Sequence, residues 1–181
     1  MTTPVLKGRR RILILGSGGS GKSTLARALG DRLALPVIHL DIHFWSSGWQ
    51  PTPDAEWQAR VRRLVAGEAW VMDGSFSGTL AIRIPRCDAI VFLDLPRLVC
   101  VRSVLSRWWR YRFRSRPDLP EGCPETLDLH FLRWVWSYPS RSRPLVLEAI
   151  QAAGPGVEVV HLTHRQLARE LVEGLPTRDE R

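Results

Sequence analysis

The stretch Gly16-Ser17-Gly18-Gly19-Ser20-Gly21-Lys22-Ser23 concentrates glycines, hydroxyls and one lysine in eight residues. It satisfies the pattern G-x-x-x-x-G-K-[ST] at every fixed position, with an apolar run before it and an amphipathic helical pattern after it. Glycines let the chain turn back on itself, so that successive backbone N–H groups point at phosphate oxygens. A helix N-terminus adds a dipole that favours the anion. Lys22 would reach the β- and γ-phosphates of a nucleoside triphosphate, and the Ser23 hydroxyl would ligate Mg²⁺. The nucleotide-binding set is therefore Gly16, Gly18, Gly19, Ser20, Gly21, Lys22, Ser23 and Thr24. A second acid, closing a buried strand, is needed to hold the metal or its waters. Asp73 and Asp94 both qualify, and either can instead be a cap or turn former. Asp73 is preferred, because Asp94-Leu95-Pro96 reads as a lead-in to a helix.

Other constellations carry chemistry less specifically. Arg107-Trp108-Trp109-Arg110-Tyr111-Arg112-Phe113-Arg114-Ser115-Arg116 is the densest basic and aromatic segment. It reads first as a lid whose arginines neutralise a transferring phosphoryl group. A helix with a solvated basic face, or a surface that takes nucleic-acid phosphates and stacks on bases, is the alternative. His39, Asp41 and His43 alternate, so on a strand end they would share a side. They read as a metal cluster, or as an acceptor-facing Asp41 flanked by pocket histidines. Trp45 and Trp49 suit an aromatic acceptor pocket or the core.

The elements that must position these residues follow from periodicity and punctuation. Apolar strands are expected at 11–15, 37–41, 69–74, 89–95 and 157–162. Helices are expected at 21–34, 53–66, 98–114 and 125–136, and from 144 and 165, with Thr52 as N-cap and Pro53 at the first helical position of the second. Strands that are apolar throughout and alternate with helices specify a parallel sheet covered on both faces. At 181 residues and 44% hydrophobic content the chain is one α/β domain with an ample core. Cys87, Cys100 and Cys123 form no metal pattern and imply inert thiols in a reducing compartment. No apolar run reaches the ~20 residues a membrane span requires, and the run 12–15 is too short for a signal-peptide core, so the expectation is a cytoplasmic protein. The net charge of +8 is carried almost wholly by arginine, since Lys7 and Lys22 are the lysines. Arginine suits bidentate phosphate contact, in a nucleic-acid surface or in a kinase.

Taken with His39-Leu40-Asp41, Phe44-Trp45-Ser46-Ser47-Gly48-Trp49, the run Trp70 to Thr79 and Phe92-Leu93-Asp94-Leu95-Pro96-Arg97, the glycine-rich loop resembles the small P-loop kinases of the adenylate kinase type. The chain is more closely similar to the adenylate-kinase-like proteins described as DNA topology modulation proteins. That resemblance implies a P-loop NTPase three-layer sandwich over 1–181, with a five-stranded parallel sheet in the order 2-3-1-4-5. It implies an acceptor-side insertion at 37–67 and a lid at 107–124. ATP and Mg²⁺ would be the cofactors, a small molecule the acceptor, and the protein a monomer. Lys22, Asp73, Arg107 and Arg141 would be catalytic, Ser23 and Asp73 would serve the metal, and Asp41, Trp45, Trp49 and Arg83 would face the acceptor. Two departures are evident: Asp73-Gly74 is followed by Ser75-Phe76-Ser77 with Arg83 as the nearest arginine, and the early acceptor arginine is replaced by His39-Leu40-Asp41-Ile42-His43.

Overall fold

A computed structural model describes residues 5–112, 119–124 and 126–176. The first strand, β1 (Arg11–Gly16), is the buried centre of a five-stranded sheet. In chain order the strands are β2 (Val37–His39), a short antiparallel pair β3 (Trp45–Ser46) and β4 (Gln50–Pro51), then β5 (Trp70–Asp73), β6 (Ala89–Leu93) and β7 (Glu158–Leu162). The main sheet runs β2-β5-β1-β6-β7 with parallel pairing throughout. Counted without the β3–β4 pair, this is the expected order 2-3-1-4-5. The three inner strands are apolar on both faces because helices cover both; β7, at an edge, alternates.

Helix α1 (Lys22–Leu33) leaves the glycine-rich turn and stops where Ala34 enters the left-handed region at φ 53°, its N–H bonded to Gly30 O. The expected second strand is cut short: α2 (Leu40–Phe44) begins right after His39. Thr52 does not cap the next helix. Its N–H and hydroxyl both bond Phe44 O, and α3 (Asp54–Val65) starts behind Pro53. After β5 come α4 (Leu80–Arg83), then α5 (Arg97–Tyr111), α6 (Leu129–Arg141), α7 (Arg143–Gln151) and α8 (Arg165–Glu173). One face of the sheet packs Trp70, Met72, Ile90 and Phe92 against Trp57, Val61, Leu80 and Val146. The other packs Ile12, Ile14, Val71 and Val91 against Leu25, Leu29 and Leu6. Positions 113–118 of the expected lid lie outside the described residues. Among those described, no helix is long and apolar enough to cross a membrane.

Many of the basic residues hold the frame. Arg9 pairs with Glu158 at 2.9 Å, and the backbone N–H groups of Arg10 and Arg11 donate to Asp88. Arg143 grips Asp94 through Nε and Nη2 at 2.7–3.0 Å, and His161 Nε2 lies 2.9 Å from the same carboxylate. Burial disfavours the charge on Asp94, but these hydrogen bonds and the neighbouring positive charges outweigh it and hold its pKa below the ordinary value. A depressed carboxyl pKa stabilises the fold above the unfolded value, near 4, and that contribution disappears as pH falls through the folded value. The pair is partly exposed on the Arg143 side, so Asp94→Asn is expected to cost about 1–2 kcal/mol at pH 7. Urea denaturation should find that gap at pH 7 and find it much reduced at pH 3.

Candidate active site

The phosphate loop is built by close packing from below. Lys22 Nζ donates to Ser17 O at 2.6 Å, so the ammonium is folded back across the turn it serves. Burial lowers its pKa, while the charges of Asp73 and Asp41 push it back up. Gly19 sits at φ 75°, and a Cβ there would come within 2.4 Å of the Cys100 carbonyl of α5. Only glycine meets both demands. A Cβ on Gly18 would meet Phe131 of α6 at 2.6 Å, so α5 and α6 press directly on the loop. Ser75 Oγ donates to Gly16 O at 2.7 Å and ties the β5 exit to the loop. The Ser20 hydroxyl is buried and has no hydrogen-bond partner among the described residues. A polar orphan at a ring of backbone donors fits a polyphosphate. Ser23 beside it, with a carboxylate across the loop, is a hard oxygen set that fits Mg²⁺.

The loop opens on a cavity of about 1670 Å³. Of the nucleotide-binding set, Gly18 through Thr24 line it, and Gly16 lies just behind, level with Leu93. Asp41, Trp45 and Trp49 line it from the β2 side; Arg102, Arg107 and Arg110 line it from α5. Asp41 reaches the cavity from helix α2, not from a strand end. His39 instead turns to Asp73, with Nδ1 2.5 Å from Oδ1. The alternation that suggested a metal cluster is thus broken by the helix, and no group of three His, Cys, Asp or Glu among the described residues is arranged to hold a metal ion. Asp73 is buried behind the lining, level with Ile14 of β1 and His39 of β2. Trp45 and Trp49 meet edge to face at 5.4 Å, and Phe44 links Trp45 to Trp57 and Phe76. The guanidinium of Arg107 lies 5.8 Å from the Phe131 ring centre.

The chain matches no known family profile. An adenylate kinase of Gloeobacter violaceus is 24% identical over 156 residues, covering 66% of this chain and 71% of that protein. An uncharacterised protein of Bacillus subtilis is 25% identical over 144 residues, covering 76% and 80%. Among solved structures, shikimate kinase of Acinetobacter baumannii, in complex with shikimate, has a TM-score of 0.58 at 17% identity and covers 93% of this chain and 91% of its own. A sugar kinase of Janibacter has a TM-score of 0.51 at 20% identity, covering 91% and 90%. These likenesses show the fold alone, that of an α/β P-loop NTPase.

Two sequence-derived site residues stand elsewhere. Arg83 is fully buried and does not line the cavity. Its Nη1 donates to Gly74 O, and Nη2 donates to Ser75 O and Phe76 O at 2.8–3.1 Å. It shapes the segment after β5 from behind, and burial lowers its pKa to about 9. Arg141 is exposed and lines a small separate hollow with His130 and Arg133. Its neighbour Arg143 is engaged with Asp94, which is why that acid is spoken for. Sequence reasoning did not find the arginines of α8, Arg165 and Arg169, which line the cavity. Their four-residue spacing on a helix following the last strand was the signal available. Arg83→Lys is expected to destabilise the protein by about 2–4 kcal/mol, because one ammonium cannot satisfy three diverging carbonyls. Thermal or urea unfolding checks this; wild-type stability in the lysine variant would refute the clamp.

Proposed function

We propose that this chain is an ATP-dependent kinase that transfers the γ-phosphoryl group to a hydroxyl of a small acceptor. The observation that supports it most is one continuous cavity with Lys22 and the phosphate loop on its floor and Asp41 with Trp45 and Trp49 on one wall. Lys22 would leave Ser17 O and bridge the β- and γ-phosphates. The unpartnered Ser20 hydroxyl and the backbone donors of the loop would take the remaining phosphate oxygens. Ser23 would hold Mg²⁺ directly, with Asp73 holding its waters; bound there, the metal neutralises β- and γ-oxygens. Asp41 would accept the hydrogen bond of the acceptor hydroxyl and aim its oxygen at the γ-phosphorus. Arg107, with Arg102 beside it on α5, would balance charge that builds on the transferring group. His39 would fix the rotamer of Asp73.

The chemistry needs little beyond positioning and electrostatics, so it calls for no protein nucleophile and matches a cavity whose described lining carries several cations and an acid, Asp41, on the acceptor wall. The thiols support this. Cys87 is pushed up to about 12 by burial and by Asp88, and burial raises Cys100, so neither is a thiolate at neutral pH. The subgroup resemblance on His39-Leu40-Asp41 and Trp70 to Thr79 belongs to the same reading, since the residues that carry it line or support the acceptor wall.

The test is ADP release from Mg–ATP, alone and with a panel of hydroxyl compounds. Lys22→Ala is expected to remove turnover by a factor of ~10³ or more while leaving the unfolding temperature within a few degrees, since the described contribution of the side chain to the folded loop is one hydrogen bond, to Ser17 O. Undiminished activity in that variant, or a rate that no acceptor stimulates, would sink the kinase reading.

A further inference from the structure

The two tryptophans of the acceptor wall stand on a hairpin that is too short to keep its own shape. Strands β3 and β4 pair only Trp45 with Pro51 and Ser46 with Gln50, and Pro51 has no N–H to give to the ladder. A hairpin of this size is not stable in water by itself. At its base, the Thr52 N–H and hydroxyl both donate to Phe44 O, and the Phe44 ring meets Trp45. At its tip, the turn Ser47-Gly48-Trp49 is held by a segment far away in the chain. Gly48 N–H donates to Gly122 O at 2.9 Å, Trp49 Nε1 to Pro124 O at 3.2 Å, and Cys123 Sγ to Ser46 O at 3.2 Å. Gly122 takes a left-handed φ of 79°, and a Cβ there would run into the Ser47 hydroxyl and lie 3.0 Å from Ser47 Cβ. Leu119, at the start of the same segment, is buried and lines the cavity.

We infer that residues 119–124 belong to the acceptor site, and that Gly122 is a positioning residue for Trp49. This rests on the kinase reading and deepens it. The family resemblance counts the segment with the lid, but its described hydrogen bonds to the hairpin run to the wall of Trp45 and Trp49. With its N–H engaged by Pro124 O, the Trp49 indole offers the cavity carbon surface, which suits an apolar or ring-shaped face of the acceptor. The left-handed backbone of Trp49, at φ 59°, is disfavoured for a bulky side chain and relaxes once the tip is released. Release would move the indole out of the wall and weaken acceptor binding. The phosphate loop, packed under α5 and α6, would be untouched. The part of the acceptor that does not react is therefore read by a surface assembled from two segments, and Gly122 keeps them in contact because it has no Cβ.

The experiment uses the full chain. Gly122→Ala puts a methyl group into the contact, and adding Ser47→Ala removes the hydroxyl it meets. Alkylation by N-ethylmaleimide with peptide mapping reads the docking through Cys123, which is fully buried; Cys87 and Cys100, also buried, report global opening. Cys123 is expected to react about tenfold faster in Gly122→Ala, with the other two thiols unchanged. KM is measured for Mg–ATP and for whichever of adenosine, glucose, glycerol and threonine stimulates ADP release most. Gly122→Ala is expected to raise the acceptor KM about tenfold and to leave that of Mg–ATP within about twofold, and the added Ser47→Ala to recover most of the loss. Cys123→Ala, which drops the bond to Ser46 O without adding bulk, should shift the acceptor KM in the same direction. Labelling of wild-type Cys123 as fast as in the urea-unfolded chain would overturn the docking. Faster labelling with an unchanged acceptor KM, or an equal rise in both KM values, would overturn the positioning role and leave the kinase reading in place. If none of the four compounds stimulates ADP release, the kinase reading falls and the acceptor assignment falls with it.

Discussion

A half-buried lysine that must stay charged governs the design of this site. Burial works against the ammonium of Lys22, and the opposing attraction comes from Asp73 and Asp41. Those two acids therefore have to be delivered to fixed places, and the sheet does this. Parallel pairing sets Asp73 level with Ile14 and His39, two residues before the glycine-rich turn begins at Gly16. The chain must then end β2 at His39 and turn at once into α2, so that His39 steadies Asp73 from one side while Asp41 rises into the cavity. The early end of β2 and the buried carboxylate both serve that electrostatic requirement.

The same loop dictates where the positive charge goes. Because Gly19 lets the Cys100 carbonyl approach and Gly18 lets Phe131 approach, α5 and α6 lie directly on the turn. A helix seated that closely presents its next turns to the cavity, and Arg102, Arg107 and Arg110 are carried there by geometry. The packing that buries the loop from below thus loads its upper flank with arginine. The opposite wall is built differently. Its framework is an aromatic cluster of Phe44, Trp45, Trp57 and Phe76, and the segment after β5 is held by the arginine behind it. Arg83 contributes three hydrogen bonds and no exposed charge, so the wall keeps its shape without becoming basic.

What was legible in the sequence was local. The phosphate loop reads directly because its glycines, lysine and flanking elements are contiguous, and the parallel sheet reads because inner strands buried on both faces are apolar throughout. Asp73 was recoverable for the same reason, as an acid closing such a strand. Direction was not legible. Period-two spacing put His39, Asp41 and His43 on one side of a strand, and a one-residue change of conformation at Leu40 sent Asp41 to the cavity and His39 to Asp73. Arg83, Arg141 and Arg143 look alike in the sequence. Whether each meets backbone carbonyls, a shallow surface hollow or Asp94 depends on neighbours far away in the chain. Among the expected lid residues, Arg107 and Arg110 line the cavity, and positions 113–118 lie outside the described residues.

The short hairpin of β3 and β4 shows how far apart in sequence one wall can be assembled. Gly48 donates its N–H to Gly122 O at 2.9 Å, Trp49 Nε1 to Pro124 O at 3.2 Å, and Cys123 Sγ contacts Ser46 O at 3.2 Å. These bonds seat the hairpin against a loop more than seventy residues later, and Trp49 holds a left-handed backbone at φ 59° to make its own. That conformation is costly for a bulky residue and persists only where surrounding contacts over-determine it. The aromatic pair at the acceptor wall is therefore positioned by two segments at once. Any movement of residues 120–124 must either carry Trp45 and Trp49 with it or break three hydrogen bonds. The described loop 120–124 and the acceptor wall are in this sense one mechanical unit, joined by backbone, indole and sulfur contacts with no charge among them.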